Sequence, residues 1–383
     1  MRIAFFTYAD PAEAGGVQEY TYQLSRALEK RGNTVTIFGP EGKLLLPYHN
    51  YRAVCRKVKV PAPNGNWTTT TLPFATQPST AEIINRGGFD LLHIQDPWVP
   101  FVGYDLIGNV KIPKVATINT GWESTSAVAG IMKFILPMFK EVALKSNIGV
   151  IFVSKHVQNC WRSLIGKKIK QKIIYHGIDP DFQTNIRQPA TRQSARLLFV
   201  GRLVKRKGLR YALEALADLV KEYPGLSLDV LGKGAELKKL KLMMKQNHLT
   251  RHVNFYGQIA GTDRIAYFRK AQIFCAPYAD EGFPLTILEA MAAGLPIAGF
   301  ANRGALEALK NYPGGELLVK AGSGRALAAA IRKLLQEPLL QIKLRRWLIR
   351  ESRKYSWEKA AAATEKFYFE ILDRGEQYTS FAL

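Results

Sequence analysis

The chain of 383 residues is poor in cysteine, short of acid relative to base, and without a long apolar run. Its three cysteines, Cys55, Cys160 and Cys275, are odd in number, widely spaced and in no C-x-x-C arrangement. That excludes a disulfide framework and a cysteine-rich zinc module, and it points to a reducing compartment with buried thiols. H-x-H and H-E-x-x-H sets are also missing, so no metal site is expected. No segment approaches the roughly 20 apolar residues of a spanning helix, so any membrane contact would be peripheral. The opening Ile3-Ala4-Phe5-Phe6 is too short for a signal peptide and reads as a first buried strand.

Acid is outnumbered by base, 31 Asp and Glu against 54 Lys and Arg, for a net charge of +23. Such a surface suits an anionic partner. No RRM, KH or helix-turn-helix signature accompanies it, and the basic residues do not alternate with aromatics in any one segment. Nucleic acid is therefore disfavoured, and an anionic membrane face, with a nucleotide diphosphate as a smaller anion, fits better. Residues 131–140, IMKFILPMFK, and 162–172, RSLIGKKIKQK, combine apolar residues with lysines in the manner of reversible membrane-surface segments. The first of these reads equally well as a core helix.

What the chain does contain is a steady alternation of short apolar runs and helical patterns. Strands are expected at 2–7, 34–38, 91–94, 115–118 and 149–153, and again at 196–200, 226–231, 253–256, 273–276 and 296–300. Helices are expected at 18–31, 208–223, 235–247, 262–270 and 286–293. Strand-helix alternation implies parallel sheets with right-handed crossovers, and two such series imply two Rossmann-like halves. Periodicity lapses at Asp181 to Ala195, which gives an α/β chain with an N-terminal domain over 1–182 and a C-terminal domain over 195–357. A cleft between them would face the carboxyl ends of both sheets. The terminal helix, about 358–383, has no strand after it and is expected to pack back on the first domain.

The most informative segment is Glu281-Gly-Phe-Pro-Leu-Thr-Ile-Leu-Glu289, followed by A-M-A-A-G-L-P-I-A. It places one acid on a loop after a strand and another inside the next helix. Carboxylates accept paired hydroxyl donors, as in sugars and riboses. The helix start between them offers N–H groups and partial positive charge to phosphate. A second strand-to-helix junction, Gly201-Arg202-Leu203-Val204-Lys205-Arg206-Lys207-Gly208, offers cations to a diphosphate. A third, Gly15-Gly16-Val17-Gln18, allows close backbone approach. It is not a G-x-G-x-x-G, which weighs against a dehydrogenase.

In combination, R-I-A-F-F…G-G-V-Q, G-R-L-V-K-R-K-G-L, V-L-G-K-G, V-N-F-Y-G and E-G-F-P-L-T-I-L-E-A-M-A-A-G resemble the GT-B glycosyltransferases of the large retaining family 4. The resemblance spans nearly the whole chain. Its first half looks closest to phosphatidylinositol mannosyltransferases, through G-G-V-Q, Leu91 to Pro97 (LLHIQDP), Val115 to Thr120 (VATINT) and Pro61-Ala62-Pro63-Asn64-Gly65. The resemblance implies that Arg202 and Lys207 grip the donor diphosphate and stabilise its developing charge. It implies that Glu281 binds hydroxyls of the transferred sugar and Glu289 the ribose, while backbone around Gly282, Phe283, Pro284 and Leu285 contacts phosphate. Gly16 would approach the diphosphate. Tyr8, Gln18, Asn64, His93 and Thr120 fall on the acceptor side, with a structural place for His93 equally open. The donor would be a UDP- or GDP-sugar, with no metal or other cofactor required.

Two departures bear on substrate. Where the family carries His in T-x-H-T, this chain has Asn119, an amide that exchanges no proton near neutral pH but still hydrogen-bonds a sugar hydroxyl. Where the inositol-lipid enzymes carry arginines for the acceptor phosphate, this chain reads Asn66-Trp67-Thr68-Thr69-Thr70-Thr71. The expectation is a cytoplasmic, peripherally membrane-associated retaining hexosyltransferase acting on a lipid or lipid-linked acceptor. Three alternatives stay open: a soluble-acceptor transferase of the same fold, a phosphorylase, and a catalytically silent nucleotide-sugar binding protein. A nucleic-acid binder is more distant.

Overall fold

The computed structural model describes residues 1–13, 15–61, 67–73, 78–97, 102–121, 141, 146, 148–166, 168–183, 195–259 and 261–379. The chain forms two compact units, one of Met1–Gly177 with Trp357–Leu383 and one of Ile178–Ser356.

The first unit is built on an eight-stranded sheet in the order β4-β3-β2-β1-β5-β6-β7-β8. Its central strands are β1 (Arg2–Phe6), β5 (Leu91–Gln95), β6 (Lys114–Ile118) and β7 (Ile148–Phe152), apolar runs buried along nearly their whole length, as parallel strands covered on both faces must be. β2 (Thr34–Pro40) and β3 (Tyr51–Pro61) extend the sheet on one side and β8 (Gln171–Ile173) closes the other. β4 (Trp67–Pro73) alone runs antiparallel, from Cys55↔Pro73 to Pro61↔Trp67. The β3–β4 pair and β8 were not expected from the sequence. β3 interleaves arginines and lysines with its apolar residues, which blurs the apolar run expected of a buried strand. Asn64, Gly65 and Asn66 lie outside the described residues.

The helix Trp357–Thr379 packs against the helix Gly16–Glu29 of this same unit. Glu365 anchors it, accepting from Arg31 Nη2 at 2.6 Å and from Asn33 Nδ2 at 2.7 Å. Deeper in, His93 is wholly buried and stacked on Phe5 with ring centres 4.3 Å apart. Its Nε2 meets Thr117 Oγ1 at 2.7 Å and its Nδ1 meets the Tyr368 hydroxyl of the terminal helix. Tyr20 Oη reaches the same threonine hydroxyl at 3.3 Å. A buried imidazole therefore ties β5, β6 and both helices together.

This interior has a pH consequence. Burial pushes His93 and His176 each from the ordinary 6.5 down to about 3, so both stay neutral in the folded protein while the unfolded chain takes up their protons. Their contribution to stability is complete above about pH 6.5 and is lost progressively as the pH falls toward 3, by about 2 kcal/mol per histidine at pH 5. Urea unfolding midpoints should fall between pH 7.5 and pH 5, and His93→Gln should flatten that dependence. A midpoint that is equally steep in the variant would count against a neutral buried His93.

The second unit carries a six-stranded parallel sheet in the order β11-β10-β9-β12-β13-β14. The strands are β9 (Ala195–Val200), β10 (Leu226–Leu231), β11 (Val253–Gly257), β12 (Ile273–Ala276), β13 (Ile297–Phe300) and β14 (Leu318–Val319). Strand order reverses between β9 and β12, and in the first unit between β1 and β5. In an open parallel sheet the crevice at the carboxyl end of such a switch is where ligands bind. Both sheets are thus Rossmann-like, with the second unit's switch flanked by the two motifs singled out in its sequence.

Candidate donor site in the second unit

The chain leaves β9 through Gly201 and Arg202 and turns in a 3-10 helix, Lys205–Lys207, that ends at Gly208. Gly208 has φ 66°, and a Cβ there would sit 2.0 Å from the Pro277 carbonyl oxygen, so the loop after β9 lies directly against the loop after β12. That contact brings the two motifs together. Lys207 Nζ lies 2.8 Å from Glu281 Oε1, and Arg206 Nη1 lies 2.8 Å from the same oxygen and 3.0 Å from the Asp280 carbonyl. Lys207 Nζ also sits 4.2 Å from the Tyr278 ring centre. The tyrosine is held by its hydroxyl, which donates to the Val200 carbonyl at 2.8 Å and lies 3.1 Å from Thr286 Oγ1.

The Lys207 and Glu281 side chains are 11% and 12% exposed, so the pair is largely desolvated. Burial is the largest influence on Glu281 and raises it, but the Lys207 ammonium, then Arg206 and Arg202, hold its carboxyl below the usual range. For Lys207 burial dominates and lowers it, against the opposing pull of Glu281. The exposed Arg202 acts on both. Three cations therefore surround one carboxylate, leaving local positive charge at the carboxyl edge of the sheet.

The loop that carries Glu281 is fixed from below. Asn302 caps the helix Arg303–Ala308 by accepting from the Ala305 N–H at 3.0 Å, and its amide donates to the Tyr278 carbonyl at 2.8 Å. A Cβ at Gly304 would lie 2.3 Å from the Glu281 carbonyl. Beyond Gly282 and Phe283, the chain enters the helix Leu285–Ala292 with Pro284 as its N-cap, which aims the helix N-terminus at the same edge. Glu289, on that helix, is 3% exposed and meets Arg264 Nη2 at 2.8 Å. The sequence reading missed Arg206, Tyr278 and Arg264. Arg206 was visible inside the basic run, whereas nothing local links Arg264 to an acid 25 positions away.

In the first unit, Gly16 opens the helix Gly16–Glu29 and is exposed, with Gly15 as its N-cap. Neither glycine takes a positive φ; Gly15 is extended at −169°. A Cβ at 15 would meet Gln18 Oε1 at 2.5 Å, the far end of a flexible side chain. Gln18 donates to the Asp10 carbonyl at 3.1 Å, and Tyr8 is half-buried. At the switch end of β5, Asp96 is fully buried with φ 42°, an unusual conformation for a residue with a side chain. Its carboxylate accepts from the Asn119 backbone N–H at 2.9 Å and from Asn119 Nδ2 at 3.2 Å. The same amide donates to Gln95 Oε1 at 2.9 Å, and Asn119 Oδ1 lies 3.4 Å from His176 Nε2. Thr120 accepts the Trp161 indole N–H through its carbonyl at 2.9 Å. His93, by contrast, is an interior residue of the sheet.

Among the described residues no helix is long and apolar enough to cross a membrane, and no group of three or more His, Cys, Asp or Glu is placed to hold a metal ion. Residues 131–140 lie outside the described residues. In 162–172, Arg162 lies in the last turn of the helix Lys155–Ile165 while Lys170 and Lys172 pair with Glu370 at 3.1 and 3.2 Å, which reduces the free charge of that segment.

Residues 14–182 match the family model Glycosyltransferase Family 4, and residues 181–355 match Glycosyl transferases group 1. The phosphatidyl-myo-inositol mannosyltransferase of Mycobacterium leprae is 26% identical over 368 residues, covering 95% of each chain. The D-inositol 3-phosphate glycosyltransferase of Corynebacterium jeikeium is 26% identical over 98% of each chain. Among solved structures, sucrose-phosphate synthase of Thermosynechococcus elongatus superposes with a TM-score of 0.77 at 22% identity, over 97% of this chain and 99% of that one. Anabaena HepE in complex with UDP and glucose superposes with a TM-score of 0.78 at 17% identity, over 97% of this chain and 100% of that one. These neighbours establish the fold as GT-B.

Proposed function

The chain belongs to the family 4 glycosyltransferases, and from that premise we propose that it transfers a hexose, with retention of configuration, from a UDP- or GDP-sugar to a lipid or lipid-linked acceptor. The observation that carries the reading is the gathering of Arg202, Arg206 and Lys207 around Glu281 at the switch point of the second sheet. A nucleotide diphosphate leaves a sugar readily only where preorganised donors meet its growing negative charge. Arg202 and Lys207 meet it, with Arg206 beside them. Glu281, held ionised by those cations, orients hydroxyls of the transferred sugar. The backbone at Gly282 to Leu285 and the following helix N-terminus add N–H groups for phosphate, and Glu289 with Arg264 lies on the ribose side. Gly16 approaches the diphosphate, and Tyr8, Gln18 and Thr120 serve the acceptor. Asn119, fixed by Asp96 and Gln95, orients a hydroxyl without moving a proton.

The lipid acceptor is supported by the inositol-lipid enzymes among its relatives and by the net charge of +23. The work is then done at the anionic inner face of a membrane, from the cytoplasm. The donor is tested by a thermal-shift panel of UDP, GDP, ADP and their sugars. A nucleotide at a hundred times its Kd stabilises the native state by about 2.7 kcal/mol, a rise of several degrees, and Glu289→Ala should blunt that rise. If no nucleotide or nucleotide-sugar moves the melting temperature, the donor assignment is wrong.

A further inference from the structure

On the second unit, the helix Pro338–Ser352 presents a face that the transfer reaction does not use. Its inward face is packed, with Leu344 and Leu348 wholly buried beside Gln341 and Arg345. Its outward face carries Leu339, Lys343, Arg346 and Arg350 at i, i+4, i+7 and i+11, all exposed. Leu339 stands 81% exposed, one turn before Lys343. Beside this line runs a groove of about 480 Å³ whose apolar lining includes Pro313, Ile342 and Trp347. Trp347 is braced by Tyr312 at 5.5 Å between ring centres. Residues 338–350 contain four basic residues and no acid; of the four, Arg345 is buried and Arg350 Nε lies 3.7 Å from Glu351 Oε1.

We propose that this face of the helix Pro338–Ser352 is where the protein docks on a bilayer of acidic phospholipid, with Leu339 entering the interface and Lys343, Arg346 and Arg350 meeting phosphate headgroups. The inference deepens the membrane clause of the proposed function and names its contact surface. An amphipathic helix lying in the interface needs an apolar element at the level of the chain's cations, and each cation near an acidic surface adds attraction. The juxtaposition meets both needs. A nucleic acid would match the charge but finds no open aromatic face here, because Trp347 is half-buried against Tyr312. It would also leave the protruding leucine in water.

The test is flotation of the full chain with phosphatidylcholine vesicles, with and without phosphatidylglycerol, at low salt. Wild type is expected to float only with phosphatidylglycerol. Arg346→Gln/Arg350→Gln should lower its partition coefficient about 30-fold, from roughly 1 kcal/mol per cation, and Leu339→Ser about tenfold. The control is Lys238→Gln/Lys239→Gln, the same loss of charge at exposed positions of the helix Leu237–Gln246, which should bind vesicles as wild type does. An equal loss in the control means that diffuse charge, not this face, binds the membrane, and overturns the proposal. So does binding of single-stranded RNA more tightly than vesicles through the same two arginines. If wild type fails to float while UDP or GDP still raises its melting temperature, the docking face is wrong and the transferase reading stands. If the nucleotides have no effect but flotation follows the groove variants, the reverse holds.

Discussion

Lys207→Ala is expected to lower kcat by about two to three orders of magnitude, the usual cost of removing one preorganised donor from a developing anion. It is also expected to destabilise the fold. Lys207 and Glu281 are nearly buried, 2.8 Å apart, and removing one partner of such a pair strands the other charge, at a cost of up to about 3–5 kcal/mol. Arg206, at the same 2.8 Å from Glu281, keeps the loss toward the low end. The two effects can be separated. Lys207→Met/Glu281→Gln removes both charges while keeping their volume, so its urea midpoint should return toward wild type while its activity stays low. Recovery of activity along with stability in the double variant would mean that the pair only holds the loop in place, and that the cations which meet the diphosphate lie elsewhere.

Gly208→Ala is expected to be strongly damaging to the second unit's site. The backbone there is left-handed, and the added Cβ would fall 2.0 Å from the Pro277 carbonyl oxygen, a backbone atom that cannot step aside alone. Left-handed strain and overpacking together amount to about 2–4 kcal/mol. For a unit of this size that lowers the melting temperature by on the order of 10 °C. Because Lys207 precedes Gly208 and Pro277 opens the loop to Glu281, separating the two loops also pulls apart the Lys207–Glu281 pair. Activity should therefore fall more than the loss of folded protein explains, measured at a temperature where the variant is fully folded. A variant with wild-type melting and turnover would show that the two loops are not wedged together at this point.

Much of the architecture was legible along the chain. Three of the four strands beside the switch points are unbroken apolar runs, Ile3 to Phe6, Leu197 to Val200 and Ile273 to Ala276. Parallel strands buried on both faces must read that way, and the amphipathic stretches between them leave little choice but crossover helices. The hairpin of β3 and β4 was not legible, because β3 interleaves lysines and arginines with its apolar residues and β4 is mostly threonine, a weaker signal than a buried apolar run. The candidate site was half visible. The E-x7-E segment and the G-R-L-V-K-R-K-G run announced acids and cations at strand-to-helix junctions.

By itself, then, the sequence determined two parallel α/β sheets, a basic surface, the family to which the chain belongs, and the two loops that hold its charged residues. The tertiary structure alone decided the partners. It placed both Arg206 and Lys207 on Glu281, gave Glu289 an arginine from a separate loop, committed the Asn119 amide to Asp96 and Gln95, and enclosed His93 between Thr117 and Tyr368. The physical reason is that periodicity fixes which face of an element a residue occupies, a local property of the backbone. Which side chains meet depends on the strand order that brings distant loops to one carboxyl edge. In this chain that order puts β9 beside β12, although 72 residues separate the end of one strand from the start of the other.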